Sequence, residues 1–329
     1  MAERAPGPDP GIRLLARALT LIENEQPGAA ELLDAFRATR AAWSQHATDS
    51  AAPVLIGITG SPGAGKSSVV AGLISAYRSR GMQVAVLAVD PSSPFTSGAV
   101  LGDRVRMQQH ATDPGVFIRS MAARGHLGGL ASSSGAVIDA LMQVGFEVVI
   151  VETVGVGQSE VEIAMACDSV VVVVAPGMGD AVQAAKAGVL EIADILVVNK
   201  ADREGADMTA RDLRQMIALG DAMRGDSPDA WRPDVVLTTA VHADGVNALM
   251  KALDVHQAWL STSGERSRRR IRRARSEIVR GVLAAFDVRV RDLAQLEEIA
   301  AAVAAGELEV HRAVEQILML MDARSRQSR

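Results

Sequence analysis

Aromatic side chains are scarce, 3% of 329 residues, so a core here has to be built from Val, Leu, Ile, Ala and Met. Cysteine is almost absent. The single Cys167 excludes an internal disulfide and a CxxC metal clip, and its place beside an apolar stretch predicts a core residue. Long apolar runs are missing as well: segments such as 170–175 fall far below the roughly 20 residues that cross a bilayer, so no membrane span is predicted. Residues 1–11 carry Glu3 and Asp9 among prolines and glycines, which fits neither a signal peptide nor an acid-poor transit peptide, and a cytoplasmic location is expected. Basic charge is not in excess. With 34 Lys and Arg against 39 Asp and Glu the net charge is -5, which argues against a general nucleic-acid or anionic-membrane binder and leaves room for a small anionic ligand in a local pocket. The six histidines show no HxH or HExxH spacing, so neither a histidine metal site nor a Ser/His/Asp hydrolase is supported.

What is present divides by pattern into three parts. From Ile12 to about Gln45 the apolar positions recur at helical spacing, broken near Pro27 and Gly28, which predicts two or three helices. From Val54 to about Leu260, short β-branched runs alternate with helical segments. These runs cover 54–59, 84–90, 116–119, 148–152, 170–175, 195–199 and 235–239. Most are apolar on both faces, the pattern of parallel strands covered by helices on both sides. Beyond Gly264 only helical periodicity appears, around 278–286, 293–303 and 310–321. The expected architecture is α/β, a doubly wound, mainly parallel sheet: an N-terminal helical extension over 1–50, the α/β domain over 51–262 and a C-terminal helical arm over 263–329.

Directly after the first strand stands Gly60-Ser61-Pro62-Gly63-Ala64-Gly65-Lys66-Ser67, followed by Ser68, a full GxxxxGK[ST] phosphate loop between strand and helix. Its glycines let the backbone wrap phosphates and aim N–H groups at them from a helix start whose dipole favours anions. Lys66 would bridge the β- and γ-phosphates, and the Ser67 hydroxyl would ligate Mg²⁺. Base choice is carried by Asn199-Lys200-Ala201-Asp202 at a later strand end. The Asp202 carboxylate matches the N1–H and exocyclic amine of guanine, whereas adenine would leave it unpaired at a cost of about 1–3 kcal/mol or more. Asn199 would tie the base loop to the P-loop, and the Lys200 stem would pack on the base. Thr239-Ala240-Val241, after the last strand, could offer backbone N–H groups to the guanine O6. Two more strands end in acids, Asp90 and Glu152, beside the expected metal; Glu152 reads as the Walker B acid and Gly155 as the γ-phosphate sensor. Asp103 is a further candidate ligand, or else a helix N-terminal acid facing the dipole.

The segments VDPSSPFTSGAVLGDRVRM, ETVGVGQSE, PGMGDAVQAAKAGVLEIAD and NKAD, in this order after GSPGAGKSS, resemble the methylmalonyl-CoA mutase-associated GTPases, the MeaB/ArgK family of G3E P-loop GTPases. The resemblance covers about 54–260. It implies a Mg²⁺-dependent GTP hydrolase that acts as chaperone for an adenosylcobalamin-dependent acyl-CoA mutase, gating cofactor loading and protecting or rescuing the mutase. It also implies a homodimer to whose association the C-terminal arm contributes. Lys66 and Glu152 become the catalytic pair, and Ser67, Asp90, Asp103 and Glu152 the Mg²⁺ environment. Three switch regions follow Asp90, run from Glu152 to Glu160 with Gly155 and Gln158, and run from Gly177 to Val189 with Asp180 and Lys186, the two expected to signal to the mutase. One departure is Ser132-Ser133-Ser134-Gly135, where relatives are expected to carry a charged helical stretch.

Two features invite stronger readings than they support. Asp254-Val255-His256-Gln257-Ala258-Trp259 begins like a cobalamin DxHxxG motif, but Trp replaces the glycine; helix surface with a packed Trp is expected, with no cobalamin bound through it. Seven arginines between Arg266 and Arg275 lack interleaved aromatics and read as a solvated or dimer-contact helix. Alternative functions are a metallochaperone GTPase, disfavoured by one Cys and scattered histidines; a small-molecule kinase, for which no acceptor base is evident; and a targeting GTPase, whose Met-rich domain is missing.

Overall fold

The computed structural model describes residues 10–24, 26–44, 53–91, 107, 110, 112–123, 133–153, 166–177, 189–224 and 230–327. Seven strands form one sheet: β1 (Val54–Gly60), β2 (Val84–Pro91), β3 (Val116–Ala123), β4 (Val148–Thr153), β5 (Ser169–Val174), β6 (Ile195–Asn199) and β7 (Asp234–Thr238). Their order is β3-β2-β4-β1-β5-β6-β7, and every pairing is parallel. The reason is legible in the strands. β4, β5 and β6 are buried at every position, as a sheet covered on both faces requires.

The helices divide between the two faces. Leu55, Val149 and Val172 point into one core, closed by α1 (Pro10–Glu23), α2 (Ala29–Ser44), α4 (Ser134–Val144) and α6 (Ala206–Arg224). Ile56, Ile150 and Val173 point into the other, closed by α3 (Lys66–Ser79) and α7 (Val246–Thr262). A four-residue α5 (Val189–Ile192) precedes β6. The N-terminal pair is part of the core: Leu19 is fully buried, and Arg119 on β3 grips α1 through Glu23 and the Ala16 carbonyl. Ser133 and Ser134, in the stretch that departs from the expected charged pattern, are buried at the start of α4. Cys167 is buried too, and burial pushes its thiol pKa up.

Contacts divide the chain into two compact units, residues 1–273 and 274–329. The helix α8 (Glu265–Arg291) begins in the first and ends in the second. The second unit continues with α9 (Leu296–Ala304) and α10 (Val310–Gln327). Along its part of α8, Ile278, Val279, Val282, Leu283 and Phe286 recur at helical spacing and are all exposed. Among the described residues no helix is long and apolar enough to cross a membrane.

The structure departs from the sequence reading at the two distracting motifs. His256 is fully buried rather than on the helix surface, clustered with the rings of Trp231 and Trp259 at 4.5 and 5.5 Å, the two indoles themselves 5.4 Å apart. A histidine is stable there because both ring nitrogens face polar atoms, the Ser169 hydroxyl at 2.7 Å and the Asp194 carboxylate at 3.3 Å. The arginine stretch is not uniformly solvated. Arg268 and Arg272 are open to solvent, but Arg269, Arg270 and Arg273 turn inward onto Asp194, Asp168 and Asp139. Burial alone would raise the pKa of Asp194, yet hydrogen bonds from His256 and Arg269 hold it below the ordinary carboxylate value.

Candidate nucleotide site

The P-loop leaves β1 at the C-terminal edge of the sheet, where the strand order reverses around β1 and ligands of open α/β sheets collect. Two of its glycines are required by contact. A Cβ on Gly60, at φ 130°, would stand 2.0 Å from the Val173 carbonyl oxygen; one on Gly65, at φ 93°, would stand 2.2 Å from the Asn199 side-chain nitrogen. Gly65 is the N-cap of α3 and supplies no side-chain cap, so the positive end of the helix dipole opens onto the loop.

Lys66 is buried, and its Nζ donates to the carbonyls of Gly60 at 2.8 Å and Ser61 at 3.0 Å. The ammonium is thus held over the loop by acceptors that a phosphate would replace with stronger, charged ones. Ser67 Oγ donates to Glu152 Oε1 at 2.7 Å. Glu152 is buried at the end of β4, opposite Ile58 of β1, and Thr153 beside it donates to Thr59. A hydroxyl and a carboxylate so placed fit Mg²⁺, which takes one or two protein oxygens and completes its shell with water and phosphate. Among the described residues no group of three or more His, Cys, Asp or Glu is placed to hold a metal ion.

The base corner is organised by one amide. Asn199 Nδ2 donates to the Ala64 and Gly65 carbonyls at 2.9 and 3.4 Å, while Oδ1 accepts from Thr238 Oγ1 and from the Ala240 backbone N–H, each at 3.1 Å. P-loop, β6 and the loop after β7 are thereby joined. Lys200 follows in the left-handed region, φ 58°, and its Nζ donates to the Gly63 carbonyl at 2.6 Å. Between these parts lies a cleft of about 840 Å³, bordered by Gly63, Ser68, Lys200, Asp202, Thr239 and Val241. That volume suits a nucleoside. Asp202 is exposed, and Val241 is 75% exposed, much for an apolar side chain.

The structure therefore brings together the 60–68 loop, Glu152, Asn199, Lys200, Asp202 and 239–241. Asp103, Gly155, Gln158, Asp180 and Lys186 lie outside the described residues, as does the Asp90 side chain. Sequence reasoning missed Gly63 and Ala64 as carbonyl acceptors for Lys200 and Asn199, a role that no side-chain motif can announce.

Comparison with known proteins decides the family. The family model described as methylmalonyl Co-A mutase-associated GTPase MeaB matches residues 15–293. The chain belongs to the MeaB family of GTPases. A putative GTPase of Pyrococcus abyssi is 44% identical over 93% of this chain and 92% of its own length. A methylmalonic aciduria type A homolog, mitochondrial, of Caenorhabditis briggsae is 34% identical over 78% of this chain and 63% of its own. Among solved structures, a LAO/AO transport system kinase matches this MeaB-family chain with a TM-score of 0.67 and 25% identity, over 94% and 93% of the two chains.

The Asn199 bridge yields a direct expectation. Asn199→Ala leaves a buried N–H and hydroxyl without their acceptor and frees the P-loop from β6. Unfolding in urea should show a loss of about 2–3 kcal/mol, and calorimetry should show guanine-nucleotide affinity lowered by about 10-fold or more. An unchanged Kd would detach the bridge from nucleotide binding.

Proposed function

We propose that this MeaB-family GTPase binds GTP with Mg²⁺ in the cleft beside the P-loop, hydrolyses it, and acts as a chaperone for an adenosylcobalamin-dependent acyl-CoA mutase, methylmalonyl-CoA mutase. The observation that carries the nucleotide part is the Asn199 bridge, which sets the P-loop and Asp202 around one cleft. Support for the mutase part comes from the family description and from the name of the Caenorhabditis briggsae relative.

In this reading the backbone of residues 60–68 cradles the phosphates, and Lys66 moves from the Gly60 and Ser61 carbonyls to the β- and γ-phosphate oxygens. Ser67 and Glu152 would hold Mg²⁺, with Asp90 and Asp103 as the further acids of its environment, and the chemistry such an ion would supply is neutralisation of phosphate charge. Asp202 accepts the guanine N1–H and amine, and the Lys200 stem covers the base. Of the three backbone N–H groups at 239–241, that of Thr239 donates to Asp244 and that of Ala240 to Asn199, so Val241 is assigned to O6. Gly155 is the γ-phosphate sensor. It is followed by Val156, which cannot polarise water as a glutamine would, so intrinsic hydrolysis is slow, about 10⁻⁴ to 10⁻² per second. Client docking then completes the water-positioning geometry through the switch that carries Asp180 and Lys186.

The exposed stripe on α8 supports a homodimer built through the arm. Val282 and Leu283 are each 62% exposed, as core residues of a pair would be before pairing. No nucleic-acid or membrane partner is proposed.

Base choice is tested by Asp202→Asn, which should weaken GTP binding about 10-fold or more and favour xanthine nucleotides, because an amide can donate to the C2 carbonyl that replaces the guanine amine. Equal GTP affinity in calorimetry would sink the assignment. For the mutase role, single-turnover hydrolysis should accelerate when the mutase is added, and Asp180→Ala or Lys186→Ala should blunt that gain; no acceleration in the wild type would remove it. Leu283→Asp should halve the mass seen in sedimentation while leaving the helical circular dichroism intact. A wild-type chain that sediments as a monomer would refute the dimer.

A further inference from the structure

At the sheet edge opposite the phosphates, β5 and β6 start from two buried carboxylates, Asp168 and Asp194, 2% and 4% exposed. Carboxylates there need paired cations, and α8 supplies them. Arg269 grips Asp194 with both terminal nitrogens, at 2.7 and 2.8 Å, and donates also to the Asp168 carbonyl at 2.8 Å. Arg270 donates to the Asp168 carboxylate at 2.8 Å and to the Pro53 carbonyl, just before β1, at 3.4 Å. Backbone bonds tie the same strand starts: Asp168 N–H to the Leu55 carbonyl at 3.0 Å, Asp194 N–H to the Val170 carbonyl at 2.9 Å, and Val170 N–H to the Asp194 carboxylate at 2.8 Å.

We propose that Arg269 and Arg270 are positioning residues for the nucleotide site, setting the stagger of β1, β5 and β6 from the far edge of the sheet. The three strands they staple end, on the other side, in the parts of the site: β1 in the P-loop, β6 in Asn199, and β5 between them with the Val173 carbonyl against Gly60. The strands are five to seven residues long, roughly 16 to 23 Å at about 3.3 Å per residue. They run through a buried, close-packed sheet, and such packing transmits a mismatch along a strand. A slip of β6 against β1 by about 1 Å carries the 2.9 Å Asn199 to Ala64 bond out of range. The arginines that looked like a solvated helix face thus act through their aspartates on a corner they never touch.

The proposal rests on the nucleotide reading of the cleft, and the experiment separates the two. Release of a fluorescent GDP analogue is followed by stopped flow, well below the melting temperature of each variant. Arg269→Gln should release it about 5-fold faster or more, Arg270→Gln less so, and Arg269→Lys should recover part of the loss. Arg273→Gln is the matched comparison: Arg273 is on the same helix and more buried than Arg269, but its carboxylate partner is Asp139 on α4, with a long 3.4 Å bond to the Ala166 carbonyl in place of a strand-start carboxylate. It should lower the melting temperature and leave release at the wild-type rate. Wild-type release from both Arg269→Gln and Arg270→Gln overturns the proposal, and so does equal acceleration by Arg273→Gln, which would mean general loosening. If Arg269→Gln fails to fold, the partly exposed Arg270 carries the same test. Asp202→Asn in the same assay reports on the base reading alone: if it holds the guanine analogue as the wild type does, that reading fails whatever the arginines do.

Discussion

The P-loop hangs from β1 and the base-reading strand is β6, but the two are not neighbours, because β5 lies between them. The Asn199 side chain has to bridge that gap, and everything else about the site is arranged so that it can. The loop needs a glycine at 65 because the amide occupies the place of a Cβ. The loop after β7 reaches the same amide through the Ala240 N–H, so the base corner and the phosphate corner share one rigid anchor. The amide uses both of its polar atoms, and it is buried, so no water competes for them.

Around that anchor the charged groups already have provisional partners. Lys66 rests on loop carbonyls and Ser67 on Glu152. These contacts give the buried ammonium and one oxygen of the carboxylate, Oε1, a hydrogen-bond partner until stronger ones arrive, and they limit the reorganisation that nucleotide binding demands. The loop is thus shaped for phosphate by its backbone, while its side chains need only exchange acceptors.

The opposite edge shows the same economy with different chemistry. Two aspartates at strand starts draw arginines from α8, Asp194 also accepting the Val170 N–H, and His256 packs against two indole rings with the Ser169 hydroxyl bonded to Nδ1 and the Asp194 carboxylate 3.3 Å from Nε2. Removing one partner from such a set strands the others, so these groups act as a unit. The helix that carries the arginines goes on into the second unit, where its exposed residues become apolar. One helix therefore serves two ends.

The seven strands, their parallel arrangement and the P-loop were legible in the sequence, since each is a local matter: short runs rich in β-branched residues, apolar on both faces and too short for helices, read as buried parallel strands, and a glycine-rich loop with Lys and Ser between strand and helix is shaped to hold phosphate. The Asn199-Lys200-Ala201-Asp202 tetrad was legible for the same reason, as a donor and acceptor pattern matched to guanine. Pairing across the chain was not. Nothing near Arg269 in the sequence names Asp194, 75 residues away, and the spacing that made His256 resemble helix surface says nothing about the tryptophan 25 residues before it. Strand order decides which charges share an edge and which residues share a cleft, and strand order is a property of how distant segments pack. Local sequence therefore determined the parts of this GTPase, and only tertiary structure decided their partners, because burial removes water and leaves each polar group dependent on whatever the fold brings beside it.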